Sequence, residues 1–115
     1  MCIRDSNCFV ASSFPGPNEA GVIRDLGVDN VMWGSDYPHH EATTPYTRES
    51  LRHAFSDWDR DELQTLLAGT AARVYGFDLE ALAPIAADVG PTHAEVTVPL
   101  DRIPADATSP AFLRP

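Results

Sequence analysis

The run Val31-Met32-Trp33-Gly34-Ser35 is apolar and small throughout, with no polar alternation. That is the pattern of a parallel strand covered on both faces. A second run, Cys8-Phe9-Val10-Ala11-Ser12, reads as a buried strand closed by Phe14-Pro15-Gly16-Pro17, where two prolines and a glycine bar further strand or helix. Between them Asn18 is placed to cap a helix with Val22, Ile23 and Leu26 on one face and Gly27 as its stop. The expected unit is strand, helix, strand. Two parallel strands with their helices cannot close a core, because each strand keeps an unpaired edge. At 115 residues one small domain is the ceiling. The chain is therefore expected to be a fragment of a larger α/β protein, or a subunit that completes itself by association.

Downstream, Thr47 is a plausible cap for a helix in which Leu51, Ala54, Phe55 and Trp58 recur at helical spacing. Asp59 followed by Glu62 resembles a capping box, and Leu63, Leu66, Leu67, Thr70, Ala71 and Val74 continue as one stripe up to Gly76. Asp78 opens a short helix that Pro84 is expected to interrupt. Six of the ten prolines lie beyond residue 83, so residues 84–115 read as a Pro-rich tail, extended from Asp88 and wrapping a larger body or staying mobile. Residues 1–6, Met-Cys-Ile-Arg-Asp-Ser, match no element signal and resemble translated sequencing-adaptor bases; a non-native leader is expected there. Residues 7–83 form the body of the chain.

Eight Lys+Arg stand against 17 Asp+Glu, a net charge of −9. Gripping nucleic-acid phosphates needs clustered positive charge, so no nucleic-acid partner is expected. The longest nearly unbroken apolar run, residues 81–87, is far short of the roughly 20 residues of a membrane span and contains Pro84. No membrane partner is expected either. Cys2 and Cys8 could form at most one bridge, which excludes a disulfide framework and fits a cytoplasmic setting. No secretory leader can be read at the start.

The chemistry is concentrated in Gly34-Ser35-Asp36-Tyr37-Pro38-His39-His40-Glu41. Asp36 falls where the second strand ends, and the carboxyl ends of parallel strands are where α/β proteins build sites. A carboxylate there can bind a divalent metal or take a proton from metal-bound water. The competing reading is that Asp36 only shapes a turn before Tyr37-Pro38. His39, His40 and Glu41 do not make a local metal site, since adjacent side chains of an extended segment point to opposite sides. One histidine at a pocket mouth, with the other solvated, is the expected arrangement. Trp33 is expected in the core, with substrate contact as the alternative, and Phe55 and Trp58 as helix packing. His53 and His93 have no supporting context.

Gly34-Ser35-Asp36-Tyr37-Pro38-His39, followed by Ala71-Ala72-Arg73-Val74-Tyr75-Gly76-Phe77-Asp78, resembles the closing portion of the amidohydrolase-related family, which includes metal-dependent hydrolases, lactonases and the aminocarboxymuconate-semialdehyde type of decarboxylase. The likeness extends through Val98-Pro99-Leu100 and Pro104-Ala105-Asp106. It implies a C-terminal fragment of a (β/α)8 TIM-like barrel: the last two parallel strands, the helices after them and a Pro-rich tail. It also implies a divalent metal, commonly zinc, a small-molecule substrate, and barrels that often pair as homodimers. Asp36 matches the aspartate ending the last strand, a metal ligand and catalytic group; His39 matches a histidine of the same loop, a substrate contact. Thr70 departs from the family, which commonly has Asn before Ala-Ala. The family's His-x-His and its middle-strand histidines have no counterpart here.

An eight-stranded barrel takes about 250 residues, and a catalytic zinc needs about three protein ligands. The 115-residue chain is therefore expected to be inactive alone, as the C-terminal part of an enzyme that hydrolyses C–N or C–O bonds or decarboxylates a small carboxylated substrate. The alternative is a non-catalytic acidic helical module that docks through Leu63, Leu66, Leu67 and Val74.

Overall fold

The computed structural model describes residues 10–13 and 15–113, the first four through their backbone; Cys2, Cys8 and Phe9 lie outside the described residues. β1 (Val10–Ser13) and β2 (Val31–Gly34) pair in parallel, with Val10 opposite Val31 and Ser13 opposite Gly34. The crossover is α1 (Pro17–Leu26) followed by a 3-10 turn at Val28–Asn30. This is the expected strand, helix, strand unit. The cap of α1 differs from expectation: Gly16, not Asn18, is the N-cap, Pro17 takes the first helical position, and the Glu19 carboxylate accepts from the Gly16 N–H. Proline's fixed φ suits that position and its missing N–H is not needed there. The apolar face differs too. Ala20 and Ile23 are buried, whereas Val22 and Leu26 are more than half exposed. At 3.6 residues per turn they sit about 100° and 60° to one side of Ile23, so turning Ile23 into the core leaves both facing out.

α2 (Thr47–Phe55) buries Ser50, Leu51, Ala54 and Phe55. Its N-cap is Tyr46, so Thr47 is the first helical residue instead of the cap. Trp58 lies just past the helix in a turn, its N–H donating to the Phe55 carbonyl at 3.0 Å, and its ring meets Phe55 edge-on at 4.9 Å. Next, α3 (Arg60–Gln64), a π-helical turn (Thr65–Gly69) and α4 (Thr70–Tyr75) run as one rod. Asp59 caps it by accepting from the Glu62 N–H at 2.8 Å, and Gly76 ends it in the left-handed conformation at φ 75°. The π turn holds one extra residue and rotates the helix beyond it. Leu63, Leu66, Thr70 and Ala72 are buried, while Val74 has turned out to 37% exposure. Leu63 and Leu66 therefore belong to the core, beside Ile23, Val31, Leu51, Phe55, Trp58 and Val96. The stripe expected to serve as a docking face is largely consumed in folding.

Thr70, the departure noted in the sequence, is buried and lies 3.1 Å from the Thr65 carbonyl and 3.3 Å from that of Val28. Its hydroxyl ties the π turn to the residues leading into β2.

α5 (Leu79–Val89) starts at Asp78, which accepts from the Ala81 N–H at 3.2 Å, and runs straight through Pro84 instead of stopping there. Proline removes the hydrogen bond that the Glu80 carbonyl would accept. Every residue of α5 is exposed, so water can satisfy that carbonyl. Beyond it the chain is not extended throughout: α6 (His93–Val96) is closed by a reciprocal Thr92–Glu95 capping box, and a 3-10 turn forms at Pro110–Phe112. The tail wraps the body. Val96, Ser109, Ala111 and Phe112 are buried, and Arg52 of α2 donates to the Val98 and Pro99 carbonyls at 2.7 and 3.0 Å.

Candidate functional site

Asp36 sits two residues past Gly34, the last residue of β2, with φ at 64°, and among the described residues it is the one non-glycine with positive φ. The left-handed region is uncommon for a residue with a Cβ, and Asp tolerates it better than most. In this conformation the chain reverses at once. The Asp36 carbonyl accepts from the His39 N–H at 2.9 Å, Thr43 N–H donates back to the Ser35 carbonyl at 3.0 Å, and the Ser35 hydroxyl accepts from the Tyr37 N–H at 3.3 Å. The same turn brings the side chains together: His39 Nδ1 lies 3.1 Å from Asp36 Oδ2. The carboxylate is about one quarter exposed and the imidazole about three quarters. An acid fixed at the strand end and an imidazole held by it can accept, hold or pass a proton at the molecular surface.

His40 and Glu41 are exposed and do not join the pair. Trp33 is half-buried and packs against the core cluster. It also lines a cleft of about 300 Å³ with Met32, Gly34, Ala71, Tyr75 and Phe77. Among the described residues its buried indole Nε1 has no hydrogen-bond partner. That cleft does not include Asp36 or His39; nor does the larger one, about 890 Å³, between α3, α5 and α6.

The other two histidines have structural partners. His93 Nε2 lies 3.2 Å from the Trp58 carbonyl, and His53 stacks at 5.8 Å on Phe112, where burial lowers its pKa below the usual value.

Sequence reasoning missed three residues around the Asp36 loop. Tyr46 donates its hydroxyl to Asp106 Oδ1 at 2.5 Å, and Thr108 donates to the His40 carbonyl at 3.0 Å. Asp106 had a signal in the Pro104-Ala105-Asp106 phrase; Tyr46 and Thr108 had none, because the pairs lie 60 and 68 residues apart.

The sequence profile of the family described as Amidohydrolase matches residues 3–77. The chain belongs to the amidohydrolase family. No curated protein and no solved structure gives a significant match. The match takes in both strands, the Asp36 loop and the helical rod of this chain, and ends at Phe77, ahead of α5.

Members of this family usually use a metal. Among the described residues there is no group of three or more His, Cys, Asp or Glu able to hold an ion. Asp36 and His39 offer two donors directed at each other, and a catalytic zinc needs about three from the protein. These residues do not by themselves fit a metal centre. What they provide is a carboxylate at a strand end and its histidine neighbour.

Proposed function

We propose that this amidohydrolase chain is the C-terminal part of a TIM-like barrel enzyme, and that Asp36 is its rim carboxylate. In this reading Asp36 would hold a divalent metal, zinc, only together with ligands from strands preceding β1, and its carboxylate would take or hold a proton of water or substrate. His39 orients that carboxylate and lies at the substrate entrance. The reaction is hydrolysis of a C–N or C–O bond, or non-oxidative decarboxylation of the aminocarboxymuconate-semialdehyde type, on a small molecule in the cytoplasm. Pairing of two barrels accompanies it. The isolated 115-residue chain is inactive.

The observation that carries this reading is the placement of Asp36: a carboxylate at the carboxyl end of a parallel strand, in a left-handed conformation and paired with a histidine. Among the described residues the two-stranded sheet has unpaired edges and Trp33 Nε1 has no partner, which supports further strands in this reading. A turn-shaping role alone does not need the His39 contact.

The test is a chain extended upstream with the reading frame, screened against amide, ester, lactone and carboxylated aromatic substrates with metal content measured. Replacement of Asp36 by Asn is expected to lower kcat by about 10²-fold or more. Full turnover in that variant would refute the assignment. For the 115-residue chain, calorimetric titration with zinc is expected to give no tight one-to-one binding. Tight binding that disappears in Asp36→Ala would overturn its predicted inertness.

A further inference from the structure

The loop between β2 and α2 carries Asp36 and His39, and most of its hydrogen bonds are its own: Ala42 N–H to the His39 carbonyl at 3.1 Å, Thr43 N–H to Ser35 at 3.0 Å, Tyr46 N–H to Thr43 at 2.7 Å. Among the described residues, two hydrogen bonds join this loop to anything beyond α2. One is Tyr46 hydroxyl to Asp106; the other is Thr108 hydroxyl to the His40 carbonyl. The segment that supplies Asp106 and Thr108 is fixed at both ends by contacts that do not involve the loop. On one side Val96 is in the core, and the Arg52 guanidinium holds the Val98 and Pro99 carbonyls. On the other, Ser109, Ala111 and Phe112 are buried, with Phe112 against His53 of α2.

A segment held at both ends and touching a loop in between restrains that loop without having to be ordered by it. The Tyr46–Asp106 bond is charge-assisted, and the carboxylate keeps the Tyr46 hydroxyl protonated as its donor, raising its pKa above the usual value.

We propose that residues 97–109 form a strap that holds the Asp36–His39 loop against the body, with Asp106 and Thr108 as positioning residues. That the strap serves catalysis rests on the role proposed for Asp36; that it holds the loop does not.

The test is site-resolved amide hydrogen exchange on the full 115-residue chain. In Tyr46→Phe and in Asp106→Ala, the Ala42 and Thr43 amides are expected to exchange about tenfold faster. The amides of Leu51, Phe55 and Leu66 keep their rates, which separates release of the loop from general loosening. Asp106→Asn, which retains an acceptor for the Tyr46 hydroxyl, restores most of the protection, and the Tyr46→Phe, Asp106→Ala pair together lose no more than either alone. Thr108→Val accelerates Ala42 most. Unchanged loop amides in both single variants, or acceleration shared equally with the core amides, would overturn the strap. An Asp36 without a catalytic role leaves these exchange rates untouched, so the two claims fail separately.

Discussion

The backbone at Asp36 makes a prediction whose sign is unusual. In an ordinary helix or strand, Ala→Gly costs about 0.5–1 kcal/mol, because glycine loses more freedom on folding. At φ 64° a residue with a Cβ instead bears about 1–2 kcal/mol of left-handed strain, which glycine escapes. The two effects oppose, and the strain is the larger. Asp36→Gly should therefore be more stable than Asp36→Ala by about 1 kcal/mol, or about 4 °C in thermal midpoint for a domain of this size. Comparing these two variants with each other cancels the lost contact to His39, since neither has a carboxylate. That contact is in any case worth little at the surface, about 0–1 kcal/mol. Asp36→Asn should stay within a few tenths of a kcal/mol of the parent, because Asn tolerates the region as Asp does. The assay is urea unfolding with the m-value checked for constancy. An alanine variant as stable as the glycine one, or more so, would show that this residue is not held left-handed at the strand end, and the site geometry built on it would fail.

Two glycines separate strain from collision. Gly76 is left-handed with nothing near its absent Cβ, so Gly76→Ala should cost about 1 kcal/mol and Gly76→Asn clearly less in the same unfolding assay. At Gly90 φ is ordinary, but a Cβ would meet the Ala86 carbonyl oxygen at 2.7 Å, so Asn should rescue nothing there relative to Ala. Phe55→Ala removes a fully buried ring and its edge contact with Trp58; a loss of about 3–5 kcal/mol is expected, enough to unfold much of the population at room temperature. Burial lowers the His53 pKa below 6.5, so the folded state binds fewer protons than the unfolded one as pH falls below 6.5, and stability declines through that window. His53→Gln should flatten the dependence of the urea midpoint on pH between about 6.5 and the folded-state value; an unchanged slope would assign the decline to other groups.

Local rules suffice where one element decides its own shape. The non-alternating Val31-Met32-Trp33-Gly34 run is a parallel strand, Asp59 and Asp78 are caps, and Phe55 and Trp58 are core. They fail where two local signals compete or a distant contact decides. Pro17 outranks Asn18 at the start of α1 because a preset φ at the first helical position fixes the register of the cap. Pro84 reads as a breaker, yet it stays inside α5 on a surface where water can take the freed carbonyl. The π turn has no period of its own in the sequence, so helical spacing misplaces the face of α4 by the one residue it inserts. Proline content makes residues 88–115 look extended, whereas the burial of Val96 and Phe112 depends on α2 and the core cluster, some 40 to 60 residues earlier.

Asp36 shapes the turn after β2, and that same turn leaves its carboxylate beside a histidine. A residue that only shaped a turn would use its backbone and send its side chain to water; one that only presented an acid would need no reversal of the chain. Asp36 does both through one conformation: its carbonyl takes the His39 N–H while its carboxylate meets the His39 ring. The turn is what brings the histidine to the acid. This also sets how far one strand, helix, strand unit can specify a site. Spacing of three residues and a left-handed backbone suffice to place the carboxylate and its neighbour. Among the described residues there are two strands and no group of three or more side chains able to hold an ion, where a catalytic zinc needs about three.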